Sequence, residues 1–169
     1  MKSVLFVCTG NTCRSPMAEA LLRDRLEKLG ISGVSVGSAG LAAVAGASAT
    51  PEAIRVLGEV GIDHSSHRSR PWTEDLADRD LILTMEQRHK EAILQRFPLL
   101  AGRVFTLKEF AGHRPEEGDV EDPLKCLYDP GCDPLEEYRK TRVELEGAIE
   151  AMIPRLLEFL GLREEGGRP

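Results

Sequence analysis

The amino-terminal part of the chain places a nucleophile and a cation at a spacing suited to phosphate chemistry. The apolar residues 4–7 lead directly into Cys8, and Arg14 follows six positions later. The backbone N–H groups of a short loop after a buried strand can converge on one centre and bind an oxyanion. Such a loop also favours the thiolate form of its cysteine, to which the Ser15 hydroxyl can donate. The pattern therefore predicts a phosphate-binding loop that contains a nucleophile.

A covalent mechanism follows from these residue types. We expect Cys8 to attack phosphorus in line and to form a phosphocysteine intermediate. The guanidinium of Arg14 presents two parallel donors that match phosphate oxygens, and it stabilises the equatorial oxygens together with the loop N–H groups. This mechanism needs no metal ion and no cofactor. The residues expected to bind phosphate are Thr9, Gly10, Asn11, Thr12, Cys13, Arg14 and Ser15.

Two simpler interpretations bear on these residues. A glycine turn around a buried structural cysteine is the alternative for the loop, because a Cys and an Arg at one spacing arise often by chance. The histidines do not suggest a metal centre, because none lies at a ligand-like spacing from cysteines or carboxylates. They are His64, His67, His89 and His113. We expect His89 to be solvated on the polar side of a helix.

Apolar runs and helical periodicity predict the elements that position the loop. Strands are predicted over residues 3–7, 34–38, 81–85 and 104–107, and helices over 17–29, 50–61, 87–97 and from 133 onward. Pro16 is expected at the first helical position, whereas Pro154 is expected to kink or end the last helix. Strands that alternate with helices predict a single α/β domain with a four-stranded parallel sheet and helices on both faces.

The predicted sheet places Cys8 at the carboxyl ends of its strands, where ligands bind in such folds. The domain is expected to span residues 1–162 and to be followed by a disordered polar tail over 163–169. The chain has 169 residues, of which 41% are hydrophobic, and this length suits one domain. A second domain is therefore not expected.

The charge and hydropathy of the chain argue against two classes of partner, nucleic acids and membranes. A formal net charge of −6 argues against a general binder of nucleic acid or membrane surfaces, which needs a basic face. No apolar stretch reaches the length of a membrane span, and the first residues lack the apolar core of a signal peptide. We therefore expect a cytoplasmic protein that binds neither nucleic acid nor membranes.

Residues 8–19 resemble the signature of the low-molecular-weight protein tyrosine phosphatases, and further matches continue to about Ile153. The resemblance implies the fold predicted above and a phosphatase activity whose partners are phosphorylated proteins. We expect the protein to be a monomer. It also implies a hydrogen-bond network that braces the phosphate loop, formed by Asn11, Ser15, Ser38 and His67. Asn11 suits a strained loop on chemical grounds as well, because asparagine tolerates left-handed backbone.

The family protonates the leaving group with the Asp of an Asp-Pro pair near the last helix. This chain has three such pairs, and Asp133 is best explained as the N-cap of that helix. Asp122 ends a local pattern, residues 118–123, that resembles the bacterial members. Asp129 instead keeps the usual spacing to Tyr138. We expect one of these two to be the general acid and prefer Asp122, because a longer local pattern is harder to imitate by chance.

Thr12 bears on the substrate. Tyrosine-directed members have an aliphatic residue at the matching position, whereas threonine resembles the bacterial protein arginine phosphatases, as do residues 105–110 and 118–122. The sequence thus favours phosphoarginine as the substrate, with phosphotyrosine as the alternative. The alternative for Thr12 itself is that its side chain only packs the loop and does not affect the choice of substrate. A thioredoxin-coupled arsenate reductase is a second alternative, but residues 83–87 lack the cysteines that family needs. A non-catalytic phosphoprotein-binding module is disfavoured, because the nucleophile and the candidate acids are present.

Cysteine usage suggests reactive groups. Four cysteines in a chain of this length do not indicate a secreted disulfide framework, so reactive or redox roles are expected. A reversible Cys8–Cys13 disulfide, a switch seen in the resembling family, would protect the nucleophile from further oxidation. A small buried filler is an equal alternative for Cys13. The sequence gives no role for Cys126 and Cys132.

Overall fold

The computed structural model describes residues 1–162, and the tail predicted over 163–169 lies outside the described residues. Its centre is a parallel sheet of four strands in the order β2-β1-β3-β4. The strands are β1 (Lys2–Cys8), β2 (Val34–Gly40), β3 (Leu81–Thr84) and β4 (Val104–Thr106). All four predicted strands are therefore confirmed, with differences of at most two residues at their ends.

Five α-helices connect and follow these strands. They are α1 (Arg14–Lys28), α2 (Pro51–Gly58), α3 (Gln87–Arg96), α4 (Leu107–Phe110) and α5 (Pro134–Leu160). Helix α1 begins three residues earlier than predicted, so Pro16 lies inside its first turn. Proline is tolerated there because the first N–H groups of a helix have no intrahelical acceptor.

The sheet separates two apolar cores, as alternating side chains require. Val4, Phe6 and Cys8 face the larger core beneath α1, α2 and α5. Leu5 and Val7 face the smaller core. That core includes Leu76, which precedes β3, and Ile93, which lies on α3. Helices on both faces confirm the predicted fold class. Burial on both sides also explains why β1 reads as a continuous apolar run.

The strand order creates a crevice at the carboxyl ends of β1 and β3. From β1 the chain passes through α1 to β2 on one side, whereas β3 and β4 lie on the other side. Neighbouring connections therefore diverge at this point, which is where ligands bind in open parallel sheets. The loop after Cys8 and the residues after Thr84 both enter this crevice.

The structure differs from the sequence analysis at Pro154, and it gives a role to two cysteines. A break was expected near Pro154, but helix α5 runs through it. Pro154 and Glu150, whose carbonyl loses its intrahelical donor, both lie on the exposed face, so water can satisfy that carbonyl. Cys126 and Cys132, for which no role is predicted from the sequence, form a disulfide with Cα atoms 5.4 Å apart. Within residues 1–162, none of the helices is both long and apolar enough to span a bilayer.

Candidate active site

The loop after β1 wraps around the sulfur of Cys8. Asn11 has a positive φ of 55°, the left-handed conformation that lets the chain reverse toward α1. Its backbone N–H donates to Cys8 Sγ at 3.3 Å, and Ser15 Oγ lies 2.9 Å from the same sulfur. The sulfur is thus held between a backbone donor and a hydroxyl, an arrangement that stabilises a thiolate.

The side chain of Asn11 ties the loop to β2 and to the chain before β3. Its Nδ2 donates to Ser15 Oγ and to Ser38 Oγ, both at 2.9 Å, and its Oδ1 accepts from the backbone N–H of Arg70. His67 Nε2 lies 2.8 Å from the carbonyl oxygen of Asn11. The four residues that the resemblance assigns to a bracing network are therefore joined by hydrogen bonds.

The end of β2 supports the loop from behind. Gly40 pairs with Cys8 across the sheet, and the following N–H groups of Leu41 and Ala42 donate to the carbonyls of Cys8 and Thr9. A Cβ atom on Gly40 would lie only 2.5 Å from the carbonyl oxygen of Thr9. Glycine is required here because the two backbone segments approach more closely than any side chain allows.

Arg14 is fully buried, and three acceptors hold its guanidinium. It donates to Glu86 Oε1 at 2.5 Å, to the Val120 carbonyl at 2.9 Å and to Asp122 Oδ2 at 3.4 Å. Burial disfavours the charge, but the hydrogen bond to Glu86 together with the nearby anionic groups of Cys8, Asp122 and Glu86 outweighs it and raises the pKa of Arg14. Its Nε has no acceptor among the described residues. A phosphate oxygen is the kind of acceptor that this buried donor lacks.

Glu86 and His89 are site residues that the sequence analysis missed. Burial acts to raise the pKa of Glu86, but hydrogen bonds from Arg88 and Arg14 outweigh it and hold the pKa at about 2. Glu86 is the N-cap of α3, and its backbone N–H donates to His89 Nδ1 at 3.2 Å. The sequence signal for both residues was a capping box, in which the acidic N-cap Glu86 follows a strand and the polar residue His89 comes three positions later.

The expectation that His89 is solvated is wrong. The side chain is buried, and its Nε2 lies 2.9 Å from Thr9 Oγ1. Because Nδ1 accepts from Glu86, the neutral ring carries its proton on Nε2 and donates to Thr9. Burial lowers the pKa of His89 to about 4, so this tautomer is the form present at neutral pH. Helix α3 thereby supports the first residue of the loop.

Asp122 and Asp129 occupy different positions relative to the loop. Asp122 Oδ2 contacts Arg14, and its Oδ1 lies 3.7 Å from Cys13 Sγ. Asp129 accepts from the backbone N–H of Gly131 and lies beyond a short 3-10 helix, Pro123–Tyr128. Both line an open cavity of about 590 Å³, in which acidic side chains outnumber lysines. The structure thus places Asp122 against the loop residues.

The N-cap role expected for Asp133 is confirmed by its contact with the Leu135 N–H at 3.1 Å.

Thr12 and Cys13 lie in the second half of the loop, directly before Arg14. Cys8 and Cys13 are both free thiols, and burial raises the pKa of Cys13, so it stays protonated at neutral pH. Thr12 is half-buried, and its carbonyl accepts from the N–H of Thr50 at 2.8 Å. That bond fixes the backbone of Thr12 at the start of α2.

A possible metal-binding cluster lies behind the loop. Ligand atoms of Glu19, His64 and His67 are all within 4.8 Å of one another, and the three side chains are buried. The sequence analysis did not expect any such grouping. Glu19 lies on α1, whereas the histidines lie far along the chain, so only the tertiary structure brings them together.

The family model for low molecular weight phosphotyrosine protein phosphatases matches residues 3–160. The chain belongs to this family. A protein-arginine-phosphatase of Bacillus subtilis is 42% identical over 154 residues, which cover 90% of this chain and 95% of that protein. A probable low molecular weight protein-tyrosine-phosphatase, EpsP, of Ralstonia nicotianae is 39% identical, with coverages of 92% and 97%.

A solved structure adds a chemical observation from within the low molecular weight phosphatase family. It is a Cys-to-Ser variant of the arginine phosphatase YwlE, with a phosphorylated active-site serine. It superposes with a TM-score of 0.78 at 40% identity and covers 92% of this chain and 95% of that one. Relatives that carry arginine-directed and tyrosine-directed names are thus similar to this chain to nearly the same degree.

Proposed function

We propose that this phosphatase hydrolyses phosphoarginine in proteins, with Cys8 as nucleophile and Asp122 as general acid. The observation that carries the choice of substrate is Thr12, which brings a hydroxyl to the phosphate loop where tyrosine-directed members have an aliphatic residue. The acidic cavity next to Asp122 supports the same choice, because a guanidinium group is favoured near carboxylates.

The proposed reaction has two steps. Cys8 Sγ attacks phosphorus, an S–P bond forms, and the P–N bond to the guanidino nitrogen breaks while Asp122 gives that nitrogen its proton. Asp122 then takes a proton from water, which attacks phosphorus, breaks the S–P bond and releases phosphate with the Cys8 thiolate. Arg14 and the loop N–H groups stabilise the equatorial oxygens in both steps.

Several observations support this assignment of roles. Cys8 Sγ lies among the donors of the loop, and Asp122 contacts both Arg14 and Cys13. The serine variant of YwlE carries its phosphate on the active-site residue, which is consistent with an intermediate on Cys8. The tyrosine-directed name of the Ralstonia relative makes phosphotyrosine the alternative substrate.

A parallel assay tests the proposal. The kcat/KM for a phosphoarginine peptide is expected to exceed that for a phosphotyrosine peptide of matched sequence, and arsenate with thioredoxin is expected to give no turnover. The Cys8→Ser variant is the matched control. It is expected to lose turnover on both peptides while it still binds inorganic phosphate, because Arg14 and the loop N–H groups remain. A preference for phosphotyrosine would contradict the substrate assignment, whereas turnover by Cys8→Ser would contradict the mechanism.

Two substitutions at Thr12 separate its hydroxyl from its size. Thr12→Val removes the hydroxyl at nearly constant volume, whereas Thr12→Ile also adds bulk. We expect both to lower kcat/KM for phosphoarginine relative to phosphotyrosine, and Thr12→Ile to shift the ratio further toward the aromatic substrate. Loss of one or two hydrogen bonds from the Thr12 hydroxyl corresponds to a change of about tenfold or more in that ratio. An unchanged ratio in both variants would show that specificity lies outside Thr12.

A further inference from the structure

A buried group of two imidazoles and a carboxylate lies behind the phosphate loop and has no part in the proposed reaction. Glu19, His64 and His67 are 6%, 7% and 8% exposed, and their ligand atoms lie within 4.8 Å of one another. A carboxylate with two imidazoles is a common ligand set for Zn²⁺ and related transition-metal dications.

The ring hydrogen bond of His67 to Asn11 leaves Nδ1 available for a metal. His67 Nε2 lies 2.8 Å from the carbonyl oxygen of Asn11, and a carbonyl can only accept. Nε2 therefore carries a proton, and in the neutral ring the lone pair is on Nδ1. Metal-binding histidines typically donate their second N–H to a backbone carbonyl in this way, which orients the ring. The Asn11 carbonyl has this orienting role for His67.

His64 provides the independent indication of a ligand. Its Nε2 is buried and has no hydrogen-bond partner among the described residues. A buried imidazole nitrogen without a partner is energetically costly, and an ion would remove that cost. The rings of His64 and His67 are stacked with centroids 5.2 Å apart.

The donor atoms of the cluster select the class of ion. Hard cations such as Mg²⁺ require several oxygen ligands, and this cluster offers one carboxylate. A borderline-soft ion instead gains from the two imidazole nitrogens. Arg68 and Arg70 line the same cavity, and their charges do not distinguish between dications. Arg23 pairs with Glu19 Oε1 at 2.5 Å, and Ser38 Oγ donates to Glu19 Oε2. Oε1 becomes available to an ion when the half-exposed Arg23 side chain turns to solvent.

We propose that Glu19, His64 and His67 form a binding site for Zn²⁺ or a similar transition-metal dication, with solvent as a fourth ligand. The site is separate from the phosphate pocket but connected to it. A metal on His67 Nδ1 keeps the proton on Nε2, which donates to the Asn11 carbonyl, and the Asn11 backbone N–H in turn donates to Cys8 Sγ. An ion at this site therefore stabilises the conformation of the phosphate loop.

Metal titration tests the proposal in a background without free thiols. Cys8→Ser with Cys13→Ser removes the only free cysteine sulfurs of the described chain, and a buffer without reductant keeps the Cys126–Cys132 disulfide closed. Zn²⁺ binding is followed by calorimetry, and Co²⁺ binding by its visible absorption spectrum. We expect one ion per chain, a tetrahedral Co²⁺ spectrum and an increase in Tm with Zn²⁺.

Ligand variants locate the ion. His64→Gln and Glu19→Gln, made in the same background, are each expected to weaken Zn²⁺ binding by at least about tenfold, since even outer-shell substitutions cost 10–100-fold. His113→Gln is the matched control, because His113 lies outside the cluster. Circular dichroism verifies that each variant is folded, and Glu19→Gln provides an answer if His64→Gln does not fold. Absence of binding in the background protein, or binding unchanged in both cluster variants, would overturn the proposal.

Discussion

Arg14 carries a positive charge in a fully buried position, so its acceptors determine where the guanidinium points. Glu86 at the end of β3 and Asp122 before the short 3-10 helix are both within reach, at 2.5 Å and 3.4 Å. Removing one partner of a buried ion pair is strongly destabilising, since the remaining charge stays desolvated. Glu86 is therefore expected to hold Arg14 in place, which leaves the more exposed Asp122 to exchange protons.

The assignment of the general acid is tested by two parallel substitutions. Asp122→Asn is expected to slow formation of the phosphocysteine by about 10²–10⁴ with little change in substrate binding, because the leaving nitrogen or oxygen must be protonated. The loss should shrink for an aryl phosphate whose leaving group has a low pKa. Pre-steady-state kinetics with both classes of substrate measure the effect.

Asp129→Asn is the control for this assignment. Asp129 accepts from Gly131 within its own turn, so its substitution is expected to change local loop structure and to leave the chemical step nearly unaffected. A leaving-group-dependent loss in Asp129→Asn, together with normal kinetics in Asp122→Asn, would reverse the two roles.

At the scale of elements, the phosphate loop depends on the end of β2 as much as on β1. Gly40→Ala would bring a methyl group to 2.5 Å from the Thr9 carbonyl and 2.9 Å from the Asn11 nitrogen. Because both neighbours are backbone atoms, the loop must shift, at a cost of about 1–3 kcal/mol. We expect lower kcat/KM and lower Tm. Gly147→Ala in α5 meets no atom within 4 Å and is expected to stabilise the helix by about 0.5–1 kcal/mol.

The Cys126–Cys132 disulfide closes the loop that contains Asp129, between Asp122 and α5. Its sequence separation is six residues, for which chain entropy alone gives a stabilisation of about 2 kcal/mol. The double variant Cys126→Ser with Cys132→Ser is expected to lose that amount in urea unfolding. Reductant should destabilise the parent protein similarly and leave the double variant unchanged. Equal stability of parent and double variant would show that this disulfide does not stabilise the fold.

At the scale of the whole molecule, buried ionisable groups make stability depend on pH in two successive ranges. The pKa of His89 is lowered from 6.5 to about 4. Between pH 6.5 and about pH 4, His89 is therefore protonated in the unfolded chain but neutral in the folded chain. The free energy of unfolding is therefore expected to fall by up to about 3 kcal/mol as the pH drops through this range. His64 has a lowered pKa for the same reason and adds to this loss.

Glu86 acts in the next range. Its pKa is lowered from 4.5 to about 2, so the stability it contributes is present above pH 4.5 and is lost as the pH falls toward 2. Urea unfolding at a series of pH values measures both ranges. His89→Gln is expected to flatten the upper range only. An unchanged pH profile in that variant would contradict the role of His89.

The sequence by itself determined the features that depend on local order along the chain. Apolar runs predicted the four strands, and the Cys8 to Arg14 spacing indicated the loop that wraps around the Cys8 sulfur, because both depend on neighbours within one element or one turn. The N-cap role of Asp133 was readable for the same reason.

The tertiary structure alone decided which distant residues meet. Arg14 and Asp122 are 108 positions apart, and Thr9 and His89 are 80 apart, so no local pattern could pair them. The same holds for Glu19 with its two histidines. A break was expected at Pro154, but the freed Glu150 carbonyl lies on the exposed face of α5, and exposure is a property of the folded molecule. Connectivity along the chain fixes the strands, whereas packing between chain segments fixes the partners of each charged group.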